Sequence, residues 1–222
     1  MKPPLSLLQV YRRLYTTHGA QRWWPADSNF EVMVGAVLTQ NTAWGNVEKA
    51  IKNLKTARAL TPEAIISTHP RRLASWLRPS GYFNVKAKRL RVFCRWLLEQ
   101  GGIEALASWP TKHLRQALLS VKGIGPETAD DILLYAFHRP VFVIDAYTRR
   151  IFTRLGFITG KEDYETIRAL FERALRPNVE LFNEYHALIV SHGKSICRKQ
   201  PLCNNCKLSG VCPSVSAQRL SL

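Results

Sequence analysis

Four of the five cysteines crowd the end of the chain: Cys197, Cys203, Cys206 and Cys212, spaced C-x5-C-x2-C-x5-C. Four thiolates that close in sequence can hold a [4Fe–4S] cluster or a zinc ion. Structural zinc sites commonly use two close cysteine pairs, and only Cys203 and Cys206 make such a pair here. The fifth, Cys94, falls on an apolar helical face and reads as a buried small residue. A second residue able to do chemistry is Asp145, in VFVIDAYTRR. It follows an apolar run and precedes a helical pattern carrying Thr148, Ile151, Phe152 and Leu155. A carboxylate there can cap that helix, stabilise positive charge in a reaction, or do both. The third candidate is Lys122-Gly123-Ile124-Gly125-Pro126, a tight turn whose glycines allow unusual backbone angles. Its N–H groups, with those of the following helix, are expected to point outward together and bind an anionic oxygen.

These groups need helices to hold them. Leu114, Leu118 and Val121 precede the turn at helical spacing, and Ala129, Ile132, Leu133 and Ala136 follow it, so the turn joins two amphipathic helices. Pro126 suits a first helical position, where no amide hydrogen is needed. Upstream, helical patterns run over Ser6–Thr17, from a cap at Asp27 or Ser28 through Leu38, over Val47–Leu54, from Thr61-Pro62-Glu63, and over Arg71–Leu77. A long helix buries Ala87, Leu90, Cys94 and Leu97. Its other side carries Lys88, Arg91 and Arg95 and reads as a solvated face. Gly101-Gly102 stops it. Helices around Tyr164–Leu175 and Glu180–Ser191 close the pattern. No stretch alternates with period two for long, so the fold is expected to be all-α.

The totals narrow the partner. Among 222 residues, 32 are Lys or Arg and 16 are Asp or Glu, a formal net charge of +16. Such a surplus favours a polyanion. No apolar run of membrane-spanning length and no lipidation ending is present, which argues against a membrane. Six Trp, seven Tyr and nine Phe exceed what a protein that merely coats nucleic acid would carry. The basic, acid-free start mimics a transit peptide, but Leu7, Leu8, Tyr11, Leu14 and Tyr15 have helical spacing and belong to the fold. The expectation is a cytoplasmic, nucleoid-associated, unprocessed monomer in a reducing compartment.

The stretch from GIGPETAD through VFVIDAYTRR resembles the helix-hairpin-helix, Gly/Pro-rich loop and aspartate signature of the endonuclease III superfamily of DNA glycosylases. The resemblance covers nearly the whole chain. It implies a two-lobed body with a groove between: a six-helix barrel over residues 26–136, and a helical lobe from residues 1–25 with 137–222. The C-terminal cysteines resemble the family's C-x6-C-x2-C-x5-C cluster motif, one residue shorter in the first gap. That favours [4Fe–4S] over zinc, with a structural role. The resemblance makes Asp145 the catalytic carboxylate, acting on double-stranded DNA that contains a damaged base.

Bifunctional members carry a lysine two residues past the second hairpin glycine. Here that residue is Glu127, which cannot form a Schiff base, so a monofunctional glycosylase without lyase activity is expected. Glu127 either lines the base pocket or serves as an acidic first-turn residue. At WWPADSNFEVMVGAVLTQNTAWGNVEKA and RPSGYFNVKAKRL the chain is most similar to the 3-methyladenine glycosylase III branch, whose best-matching pattern lacks the cysteine cluster. That places Trp24, Pro25 and Trp44 around an alkylated purine, a cation suited to aromatic faces. Gln40 matches the family's gap-filling glutamine and Tyr82 the wedge opposite. Lys122, Gly123, Gly125 and Lys194 are expected to meet phosphates. Alternatives are a glycosylase for a mismatched or oxidised base, and a non-catalytic structure-specific DNA-binding protein.

Overall fold

The computed structural model describes residues 5–215. The ends of the expected second lobe, residues 1–4 and 216–222, lie outside them. All regular structure among the described residues is helical, as the periodicity predicts. In chain order the helices are α1 (Leu7–His18), α2 (Asn29–Leu38), α3 (Trp44–Thr56), α4 (Pro62–Ser67), α5 (Pro70–Leu77), α6 (Phe83–Glu99), α7 (Gly102–Ala107), α8 (Thr111–Ser120), α9 (Pro126–Asp131), α10 (Ala146–Arg154), α11 (Tyr164–Leu175) and α12 (Val179–Ser195). Two compact units result. One runs from Trp24 to Arg139, and the other combines the chain up to Trp23 with the chain from Pro140 onward.

The Trp24–Arg139 unit is built on α2. A helix that is apolar all round has to be buried all round, and every residue from Phe30 to Leu38 is buried. Ser28 caps it, its hydroxyl accepting from the Glu31 N–H at 3.2 Å. Helices α3, α6 and α9 pack around it, together with a π-helical turn, Ile132–Ala136, that continues α9. On α6 the apolar face is as expected, with Ala87, Leu90, Cys94 and Leu97 all buried. Burial pushes the Cys94 thiol up to about 12, which makes it an inert core residue. The short helix α7 has no counterpart in the sequence patterning. It contains six residues and a single buried one, Leu106, too few for a periodic signal.

The other unit centres on aromatic rings. Phe142 stacks on Phe171 at 4.4 Å between centroids, and Phe152 meets Phe171 edge-on at 4.7 Å. Tyr185 of α12 packs among them and donates its hydroxyl proton to the Leu7 carbonyl at 2.8 Å. This buried bond ties α12 to the opposite end of the chain, a link that no local pattern could have announced. Helix α12 also continues four residues past Ser191. Gly193 permits this, because a Cβ there would come within 2.4 Å of the Tyr147 ring. The close approach of α10 and α12 therefore requires a residue without a side chain. Gly193→Ala is expected to destabilise the protein by about 1–3 kcal/mol through overpacking, measured as a lower urea midpoint at unchanged denaturant dependence.

Candidate active site and nucleic-acid interface

Asp145 sits where a buried extended run meets α10. Residues Val141 to Ile144 are all buried yet join no sheet, so their N–H groups need other acceptors. The Phe142 N–H donates to the Glu172 carboxylate at 3.0 Å, and the Ile144 N–H to the Tyr164 hydroxyl at 3.3 Å. Held straight in this way, the run delivers Asp145 to the first turn of α10 as its N-cap. Oδ1 accepts from the Thr148 N–H at 2.6 Å and from the Thr148 hydroxyl at 2.8 Å. Oδ2 faces His186 Nε2 of α12 at 3.7 Å, beyond normal hydrogen-bond length. Burial alone would raise this carboxyl, but His186 and the two Thr148 donors outweigh it and hold Asp145 below its ordinary value of 3.8. It is an ionised carboxylate with one oxygen fixed by a helix terminus. The capping role that the sequence allowed is present.

Helix α10 also organises the cysteine loop. Arg150 donates from Nε to the Cys197 carbonyl at 2.9 Å and from Nη2 to Gly193 at 2.8 Å. Arg154 donates to the Arg198 and Lys199 carbonyls at 2.7 and 2.9 Å, and to Cys197 Sγ at 3.2 Å. The result is one small cavity onto which Cys197, Cys203, Cys206 and Cys212 all open. Burial pushes the Cys206 and Cys212 thiols up, and the neighbouring sulfurs add to this. Four thiolates here need a compensating cation. Among the described residues, no three His, Cys, Asp or Glu side chains form a group that could hold a single metal ion. Four cysteine sulfurs lining one cavity are a donor set that a [4Fe–4S] cluster or a structural zinc ion uses,. His192, which the sequence reading did not single out, lies against the loop, its Nε2 3.6 Å from Cys206 Sγ and its Nδ1 3.1 Å from His18 Nε2. Lys194 places its ammonium 5.9 Å over the Trp23 ring.

In the Trp24–Arg139 unit the hairpin is as expected in outline, with Leu114 and Leu118 buried before the turn and Pro126 at the first helical position of α9. The two glycines differ in purpose. Gly123 has φ 100° and a Cβ there would lie 2.6 Å from Arg89 Cγ, whereas Gly125 has φ −98°, which any residue can adopt. Gly125 instead leaves open space beside the turn. The expectation that all the turn N–H groups face outward also needs correcting. Ile124 donates inward to the Val121 carbonyl at 3.0 Å, and Pro126 has no hydrogen to give.

Two cations of α6, neither anticipated, hold the segments that carry Gln40 and Tyr82. Gln40 donates to the Gly123 carbonyl and the Thr128 hydroxyl, each at 3.0 Å, while its own oxygen accepts from Arg89. Lys86 is fully buried and donates to the Leu38 carbonyl at 2.8 Å, the Thr42 hydroxyl at 2.5 Å and the Ser80 carbonyl at 2.6 Å. Those partners flank Gln40 on one side and Tyr82 on the other. Burial, then the charge of Arg89, pulls the Lys86 ammonium down to about 8. The signal for Lys86 was present in the sequence: a lysine four residues before Leu90 occupies an apolar helical face. Tyr82 itself is 75% exposed with φ 44°. A large aromatic held out in a left-handed conformation is strained without evident packing benefit, a pattern that points to function.

Trp24 and Trp44 do come together, edge to face at 4.9 Å. Tyr135, from the π-helical turn, joins them 5.1 Å from Trp24. Sequence periodicity missed Tyr135 because the π turn rotates it off the regular face. Gly35 of α2 makes room for the Trp24 ring, since a Cβ there would approach it to 2.9 Å. Pro25 is exposed beside this cluster in sequence, and Glu127 is exposed in the first turn of α9.

Residues 34–177 match the model of the HhH-GPD superfamily of base excision DNA repair proteins, and the chain belongs to that superfamily. It is a DNA repair glycosylase of that class. Among curated relatives, a Methanocaldococcus jannaschii protein named as a DNA repair glycosylase is 46% identical over 94% of this chain and 96% of its own. Endonuclease III of Thermotoga maritima is 32% identical over 82% of each. Among solved structures, H. pylori 3-methyladenine DNA glycosylase bound to 1,N6-ethenoadenine superposes with a TM-score of 0.77 at 32% identity, covering 86% of this chain and 98% of its own. A non-covalent endonuclease III–DNA complex, at 21% identity and TM-score 0.80 over 96% of this chain and 95% of its own, shares the fold. No helix among the described residues is long and apolar enough to cross a membrane.

Two outcomes follow from this geometry. Lys86→Met takes the side-chain donor from the Leu38 carbonyl, while the Ser80 carbonyl keeps the Thr42 hydroxyl, and should destabilise the protein by about 1–3 kcal/mol, read as a lowered urea midpoint. A depressed folded-state carboxyl contributes stability above its unfolded value of 3.8 and loses it as pH falls through the lower folded value,. The stability gap between wild type and Asp145→Asn should therefore stay constant from pH 6 to near 3.8 and shrink as denaturation is repeated at lower pH,.

Proposed function

We propose that the protein is a monofunctional glycosylase that extrudes an alkylated purine, such as 3-methyladenine, from duplex DNA and releases it by hydrolysis. The observation that carries this reading is the carboxylate at residue 127, where bifunctional members of the superfamily carry the attacking lysine. Without an amine there, water is the remaining nucleophile and the abasic strand stays intact. Asp145 stabilises the positive charge that builds on the sugar and orients the water. Its depressed pKa keeps it ionised for that purpose. An alkylated purine is already cationic and leaves readily, so little acid catalysis is needed.

Trp24 and Trp44, with Pro25, Glu127 and now Tyr135, form the base pocket. Electron-rich ring faces attract a cationic base, and the structural relative at 32% identity is a 3-methyladenine glycosylase. Gln40 and Tyr82 enter the space the base vacates, which requires Gln40 to exchange its contacts with the hairpin for contacts with DNA. Lys122, Gly123 and Gly125 meet one strand's phosphates and Lys194 another stretch of backbone. The four cysteines hold a [4Fe–4S] cluster that cross-links the loop bearing Arg198, Lys199 and Lys207. Its contribution is structural. The protein acts as a monomer on DNA in the cytoplasm.

Single-turnover incubation with duplexes carrying one lesion each, followed by alkali, tests the reaction. Base release with strand cleavage only after alkali is expected, strongest for 3-methyladenine. Nicking without alkali contradicts the monofunctional assignment, and preference for an oxidised or mismatched base contradicts the pocket. Asp145→Asn should slow release by about 10²–10³-fold with duplex affinity retained. Purified protein should contain about four irons per chain with visible absorbance, and one equivalent of zinc with no iron would contradict the cluster.

A further inference from the structure

The side of α6 that sequence reading assigned to solvent forms one wall of a groove. Its volume is about 340 Å³, and α5 supplies the other wall. Arg71 contributes from α5, and Lys88, Arg91 and Arg95 from α6. The floor is apolar, formed by Ala74 and Ala87. Arg91 is fixed in place, donating to the Ile65 and Thr68 carbonyls at 3.1 and 2.5 Å. Arg71, Lys88 and Arg95 are exposed at the walls. Among the described residues none of the four is paired with a carboxylate. Four cations converging on one groove with no acid among its lining repel one another, and an anion relieves that repulsion.

The arrangement is linear. From Lys88 to Arg95 is seven residues, about 10 Å along the helix, the span of about three successive phosphates on one strand of a duplex. The groove begins at Asn84, two residues from the exposed wedge Tyr82, so a strand that meets Tyr82 can continue into it. It is separate from the hairpin. Arg89, which contacts Gln40 and crowds Gly123, points about 100° around α6 from Lys88. A linear row of cations over an apolar floor, opening beside the wedge, suits a nucleic-acid backbone better than a compact free anion.

We propose that the α5–α6 groove is a second backbone-binding site for DNA, taking a strand that lies beyond the segment held by the hairpin. This rests on the DNA-binding reading above. The test uses the full chain, fluorescence anisotropy and undamaged duplexes of about one and about three helical turns, titrated with salt. The variant is Arg71→Ala/Lys88→Ala/Arg95→Ala, with Arg91 kept because it supports α4. On the long duplex its log K against log salt slope should be shallower than wild type by about 2–3, or 0.9 per lost phosphate contact. On the short duplex the two slopes should agree. Equal slopes on the long duplex, with the thermal midpoint unchanged, overturn the proposal. So does selective thermal protection of wild type by inorganic tripolyphosphate with no change in the DNA slope, which would assign the groove to free polyphosphate. Wild type that binds neither duplex refutes the DNA-binding reading instead. Should the triple variant unfold, Lys88→Gln/Arg95→Gln is read by the same slopes, with a shift of about 1–2 expected.

Discussion

A buried carboxylate is costly unless donors surround it, and the site depends on how Asp145 meets that cost. Thr148 satisfies Oδ1 twice over, through its N–H and its hydroxyl. The bonds close the first turn of α10, so the same contact that keeps Asp145 ionised also starts the helix. From that helix Arg150 and Arg154 reach the cysteine loop. One capping interaction thus sets the position of the acid and, through α10, the frame on which the four thiols converge. Removing the charge at residue 145 is therefore both a chemical and a structural change. Base-release kinetics have to be interpreted beside a stability measurement.

The other unit has an equivalent in α6. Lys86 gathers carbonyls and a hydroxyl from two loops, and Arg89 fixes Gln40 against the hairpin. Two adjacent exposed segments, one bearing Gln40 and the other Tyr82, share a single buried ammonium as their anchor. Long loops gain mobility unless something immobilises them. Here the immobilising group is a cation with three acceptors, a network that is strong when complete and damaging when one member is lost. The third face of α6, with Lys88, Arg91 and Arg95, shows how one helix divides its residues among a core, a loop anchor and a charged groove.

Much of this was legible in the sequence. The apolar spacing of Leu114, Leu118 and Val121, the caps at Ser28 and Asp145, and the buried face of α6 all followed from helical periodicity and side-chain hydrogen bonding. What could not be read depends on distant partners. The Tyr185–Leu7 bond spans nearly the whole chain, and the neighbour of Gly193 is Tyr147, on another helix. Tyr135 escaped because a π turn shifts the register, and α7 because six residues show no period. Gly125 was misjudged because its φ of −98° is open to any residue and a Cβ there would meet no neighbour. Arg91 was placed in solvent, yet it satisfies the end of α4.

The state of Asp145 can be observed without any substrate. Carbon-13 NMR of its side-chain carboxyl, assigned by comparison with Asp145→Asn and followed as pH falls, should show a carboxylate that takes up its proton below 3.8. Uptake above that value would mean that burial prevails over Thr148 and His186, leaving a neutral acid where the proposed reaction needs a negative charge.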